Sequence, residues 1–218
     1  MTSEKQRNVE KFIEGVLSEG ASQGAFDKMA DYLLKKCQLR IGDEKFYLME
    51  IEFYCDEKNG WKDSSIYKNK KQNEMGLFYS HVSGIDFTFG DKQKERYGGI
   101  LIRGIKGEKT TPELEYQPTL VAQQFKKIEP NSEKWSEKIA LEETSQERSC
   151  VIFQGPRVNI SDYKLLRYAV DLKRPQKQIL LLSSILLGVL DDKEEKLKEL
   201  LGEYSSWWDT YQAVKERK

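Results

Sequence analysis

The sequence predicts an α+β fold, a single domain with a mainly antiparallel sheet and helices at both ends. Three observations carry this. Apolar residues recur at helical spacing up to Lys36, the period switches toward two from Leu39, and helical spacing returns beyond Gln178. The resulting boundaries are an N-terminal helical extension over 1–36, an α+β core over 37–175, and C-terminal helices packed on that core over 176–218.

Each element follows from local pattern. Phe12, Ile13, Val16 and Leu17, then Phe26, Met29, Ala30, Leu33 and Leu34, lie three and four apart. A Gly/Ser break at 20–24 divides them into two short amphipathic helices. Gly42-Asp43 is a hairpin-type turn between Leu39–Ile41 and the longer strand Lys45–Tyr54. Strict alternation along that strand places Tyr47, Met49, Ile51 and Phe53 on one face, and Phe46, Leu48, Glu50, Glu52 and Tyr54 on the other. A polar loop with Trp61 and Tyr67 follows, then the aromatic stretch Met75–Phe89 and the apolar strand Tyr97–Ile105, which is interrupted by Arg103. Pro118–Lys127 reads as a short helix, and 134–147 as a loop or exposed helix. Cys150–Gln154 reads as a strand before Gly155-Pro156. A further helix is expected from Ser161-Asp162, with Leu165, Leu166 and Ala169 on its face. The closing helical pattern contains Trp207, Trp208 and Tyr211, docked on the body.

Composition narrows the chemistry. Lys+Arg 36 balance Asp+Glu 36, which excludes a basic nucleic-acid coat but leaves room for a local basic groove. Three cysteines without a C-x-x-C spacing support neither a disulfide framework nor a zinc knuckle. A single histidine, His81, excludes H-E-x-x-H hydrolases. The chain has no P-loop, no G-x-G-x-x-G and no G-x-S-x-G. The start MTSEKQRNVEKF lacks an apolar signal core, and the longest apolar run, Ile179–Leu190, is too short for a bilayer, so a cytoplasmic protein with no membrane partner is expected.

The candidate site residues are polar side chains set into apolar strands. Glu50 and Glu52 project the same way about 7 Å apart, at a spacing that suits either a desolvated general base or a sheet-edge pair. Arg103 is either a structural partner for a carboxylate such as Asp86 or a clamp for an anion. His81 reads first as a packed, hydrogen-bonded residue and second as a source of imidazole chemistry. Phe78, Tyr79, Phe87 and Phe89 read as core, with one exposed member able to act as a wedge between bases. Lysines 58, 62, 68, 70 and 71, interleaved with Trp61 and Tyr67, suit contact with nucleic acid or a solvated face.

Taken in order, these pieces resemble the alkyladenine (3-methyladenine) DNA glycosylase family. Glu50-Ile51-Glu52-Phe53-Tyr54 is similar to that family's E-x-E-x-Y strand. Gln72-Asn73 with Gly76-Leu77-Phe78 is similar to its Arg-Asn and Gly-Met-Phe. Ile85–Gly90 resembles its aromatic strand, Ile100–Ile105 its later strand containing an Arg, and Gly155-Pro156 its Gly-Pro turn. The resemblance runs from Leu39 to Val170 and implies a curved antiparallel sheet acting on double-stranded DNA as a monomer, without metal or cofactor. It implies Glu52 and Arg103 as the catalytic residues, Glu52 activating water and Arg103 ordering the backbone or pairing with a carboxylate. Tyr54, Asp86 and His81 then line the base pocket, and Phe89 fills the gap left by the flipped base. Two departures stand out: Asp86 where the family has a second pocket Tyr, and Asp63 where it has a His. The rival readings are a non-catalytic nucleic-acid- or protein-binding domain on the same sheet, and a metal-dependent nuclease built on Glu50, Glu52 and Asp86.

Overall fold

The computed structural model describes residues 4–107, 114–115, 118–155, 157, 164 and 166–170. The chain divides into two compact units, Met1–Ser149 and Cys150–Lys218. Pro156, Ser161, Asp162, Leu165 and everything beyond 170, including Trp207, Trp208 and Tyr211, lie outside the described residues.

In the first unit, α1 (Glu4–Val16) buries Val9 and Ile13, one turn apart, with Leu17 just beyond its end. Gln6, on the same helix, donates to the Gly76 carbonyl at 3.0 Å and so ties α1 to the sheet. The chain reverses through Gly20, at φ +102°, a conformation that favours glycine. Ser22 then caps α2 (Gln23–Lys36), its hydroxyl accepting from the Ala25 amide at 3.2 Å. Phe26, Met29, Ala30, Leu33 and Leu34 all turn inward.

The strands are β1 (Cys37–Ile41), β2 (Glu44–Glu57), β3 (Met75–His81), β4 (Gly84–Phe89), β5 (Arg96–Gly107), β6 (Leu114–Glu115) and, after α3 (Pro118–Ile128) and the single turn α4 (Trp135–Lys138), β7 (Ile139–Glu143). They form a curled antiparallel sheet in the order β3-β4-β5-β2-β1-β7, with β6 paired to the far end of β5. This is the α+β class the sequence predicts. Gly42, at φ +62°, turns the β1–β2 hairpin, and Pro118 opens α3, where its missing N–H costs nothing.

The sheet departs from the sequence reading in two places. Register irregularities fall between Leu48 and Glu50 and between Glu50 and Ile51, so β2 does not keep one strict alternation from end to end. Tyr47 and Met49 both meet the Arg148 guanidinium. Ile51 and Phe53 are fully buried, with the Phe53 ring packed at a tilt against Phe26 at 5.2 Å. The segment expected as a loop or exposed helix supplies β7, an edge strand in register with β1 through Leu39↔Leu141. Ile139, Ala140 and Leu141 are buried, which outweighs the charges around them.

Two aromatic clusters fill the core. Phe26, Phe53 and Phe89 pack with ring centroids 5.2 to 6.4 Å apart. Phe78 bridges Phe87 and Phe125, each at 5.3 Å, and Phe125 packs on Trp135 at 5.2 Å.

In the second unit, β8 (Phe153–Gly155) pairs antiparallel with β9 (Arg167–Ala169). The expected helix face is corrected here, because Arg167–Ala169 is strand, with Phe153↔Ala169 in register. No helix among the described residues is long and apolar enough to cross a membrane.

Candidate active site: carboxylates on one face of the sheet

Direct cross-strand pairing brings the site together. Tyr79 on β3 pairs with Asp86 on β4, Asp86 with Leu101 on β5, and Leu101 with Glu52 on β2. Directly paired residues project to the same face, so these four side chains form a row. Two strand spacings of about 4.8 Å put the Glu52 and Asp86 backbones roughly 10 Å apart, with Leu101 between them.

At one end of the row sits an arginine between two glutamates. Arg103 Nε donates to Glu50 Oε1 at 2.9 Å and Nη1 to Glu52 Oε2 at 3.3 Å. The Tyr54 hydroxyl donates to the same Glu52 oxygen at 2.9 Å. Glu52 is wholly closed to solvent and Glu50 is 2% exposed, whereas Arg103 keeps a partly exposed side chain. Burial works against the charge on Arg103, but Glu52 and then Glu50 more than offset it, holding the guanidinium above its ordinary range. The irregularity in β2 falls at Glu50, where regular pairing would set it directly opposite Arg103.

At the other end, Asp86 is 2% exposed and both of its oxygens are engaged. Gln72 Nε2 donates to Oδ2 at 2.9 Å, and His81 Nε2 lies 3.0 Å from Oδ1. His81 Nδ1 accepts from the Ser83 amide at 3.2 Å, which leaves the ring proton on Nε2, directed at Asp86. Among the described residues no lysine or arginine pairs with Asp86. It is a buried carboxylate held by an amide and an imidazole. Burial first, then the nearby Asp86, raises the phenol of Tyr79. A side chain at Gly99 would place its Cβ 2.4 Å from Asp86 Oδ2, so the glycine makes room for the carboxylate.

The structure thus brings Glu52, Arg103, Tyr54, Asp86 and His81 onto one surface and leaves Phe89 off it. Phe89 is fully buried against Phe26 and Phe53, and a Cβ at Gly98 would come within 2.5 Å of its ring. A wedge must reach solvent to enter a duplex, so that assignment is corrected: Phe89 is core. Arg96 is also buried and bonded to Glu57 at 2.7 Å. Lys94 is spent on the Leu17 and Ser18 carbonyls. The exposed groups beside His81 are Tyr67, 57% exposed with its hydroxyl 3.2 Å from Ser83 Oγ, and Val82 at the β3–β4 tip, 94% exposed. Glu50 and Glu52 share Arg103 while Asp86 stands two strands away, so the three carboxylates of the nuclease alternative do not converge on one ion.

Gln72 was not a site candidate from the residues alone. Its only signal was its place in the Gln72-Asn73 pair, and the structure shows it capping a 3-10 turn (Lys70–Asn73) while it holds Asp86.

The fold and this polar row define an α+β protein with a buried carboxylate face on an antiparallel sheet. No family model matches the sequence. The chain is similar to the uncharacterized protein L759 of Acanthamoeba polyphaga mimivirus, with 29% identity in an alignment covering 63% of this chain and 79% of the viral protein.

Proposed function

We propose that the chain is a DNA glycosylase that flips a modified base from duplex DNA and hydrolyses its N-glycosidic bond. The observation that carries this reading is the pairing of two unlike carboxylates on one face: Glu52 anchored by a cation and a phenol, and Asp86 buried between an amide and an imidazole. In this scheme Glu52 takes a proton from water as the water attacks the sugar carbon and the base departs. Arg103 and Tyr54 fix the carboxylate oxygen that does not face the water. Asp86 has acceptor capacity beyond its two bonds and would favour a base that is cationic or rich in donors. Alkylated purines have that character. Glu52 is closed to solvent, so the face must open as DNA enters.

The same burial supports a second reading. A glutamate already engaged by Arg103 and Tyr54, together with a buried Phe89, suits a sheet that binds a partner without turning it over.

The test is chromatographic detection of free base released from duplexes that each carry one alkylated, deaminated or bulky base, in EDTA. Release of a cationic base in preference to its neutral analogue supports the glycosylase. Duplex binding without release of any base favours the binding module.

A further inference from the structure

A second site lies away from Glu52. Lys5 on α1, Arg40 on β1, Lys45 and Tyr47 on β2 and Arg148 after β7 line a pocket of about 440 Å³. Arg148 is its unusual member. Its guanidinium carbon lies 5.1 Å over the centre of the Tyr47 ring, and Nη1 is directed at the Met49 sulfur at 3.3 Å. Nε is buried and meets no acceptor. Among the described residues no carboxylate pairs with Arg148. An aromatic face and a thioether are weak partners for a guanidinium, and a cation so placed has N–H groups to give to an incoming oxyanion.

The acidic side chains of the pocket are already committed. Glu142 is paired with Arg40 at 3.0 Å and Glu147 with Lys36 at 3.3 Å. Glu143 accepts from Asn8 at 3.4 Å and from the Tyr32 hydroxyl. Lys5 and Lys45 stand exposed on the rim, and neither makes an ion pair among the described residues. Three cations without a carboxylate partner therefore surround one cavity, in a chain whose formal net charge is zero.

We propose that this pocket binds a phosphate oxyanion, gripped by the Arg148 fork and steadied by Lys45 and Lys5. A multi-oxygen anion matches both the cations that lack a carboxylate and the planar donors of arginine. Either a free phosphate group or a nucleic-acid phosphodiester offers this chemistry, and the proposal stands apart from the role given to Glu52.

The experiment uses the full chain, Arg148→Met and Lys45→Gln. Inorganic phosphate is titrated calorimetrically at constant ionic strength, and a labelled 12-base-pair duplex is followed by anisotropy. Methionine keeps an apolar contact with Tyr47, and Lys45 is a rim residue whose loss leaves the fold intact, as circular dichroism would verify. The expected result is a loss of about tenfold or more in affinity in Arg148→Met, with a smaller loss in Lys45→Gln. If the loss is seen with phosphate, the site takes a free phosphate group; if only with the duplex, it takes a phosphodiester. Unchanged affinity for both probes in both variants, or no binding of either by the wild type, overturns the proposal.

Discussion

Arg103 lies between two glutamates that share a dry surface, so its removal takes the same cation from two like charges. Arg103→Met is expected to cost about 3–5 kcal/mol in urea unfolding, the range for breaking a buried pair from one side. Glu50→Gln, which leaves Glu52 to hold the guanidinium, should cost less, on the order of 1–3 kcal/mol. Equal losses in the two variants would contradict the shared-arginine arrangement. Gly99 offers a second test, because an added methyl would press on Asp86 Oδ2. Gly99→Ala should destabilise by about 1–3 kcal/mol, and by clearly less in an Asp86→Ala background. An identical cost in both backgrounds would show that the carboxylate is not what the methyl meets.

Phe89 ends β4 inside a cluster with Phe26 and Phe53. Phe89→Ala is therefore expected to lose about 3–5 kcal/mol of stability, whereas a solvent-facing wedge would leave the unfolding midpoint nearly unchanged. What the sequence revealed of such elements follows from how local their causes are. The helices α1 and α2, the β1–β2 turn and α3 rest on spacing, a cap, a glycine and a proline, and all of them can be read in a window of a few residues. β7 and β9 are three to five residues long and exist because β1 and β8 supply their hydrogen bonds, which no local pattern reports. The β2 irregularity lies in its pairing with β5, where Glu50 meets Gly104, more than fifty positions away. The site was legible in part for a simple physical reason. Glu50, Glu52, Asp86 and Arg103 are charged residues in apolar strands, where each needs a partner. Gln72, in a polar loop, carried no such contrast. The residue pattern put Phe89 in the core and the resemblance made it a wedge; what separates the two is the space that Gly98, on a different strand, leaves for its ring.

At the scale of the molecule, buried weak acids among the described residues contribute to the response to alkali. Burial pushes the Cys55 thiol from 9.0 up to about 12 and also raises Cys37 and the Tyr32 phenol. For Cys55 the folded value lies above the unfolded one, so its contribution is fully present below pH 9.0 and is lost as pH rises through about 12. Melting temperatures should not fall on account of Cys55 between pH 7 and 9, and should fall from there toward pH 12, as a calorimetric series would show. At pH 8, native protein should expose one fast-reacting thiol, Cys150, which is partly accessible, with Cys37 and Cys55 reacting only in urea. Rapid reaction of all three would contradict the buried positions of Cys37 and Cys55. The proposed role of Glu52, activation of the water that releases a base, is tested by placing one modified base in an end-labelled duplex with EDTA, comparing wild type with Glu52→Gln at matched duplex affinity, and then cutting abasic sites with alkali. Alkali-dependent cleavage is expected from the wild type and none from Glu52→Gln. Equal cleavage by both proteins, or cleavage by neither across a panel of modified bases, would contradict it.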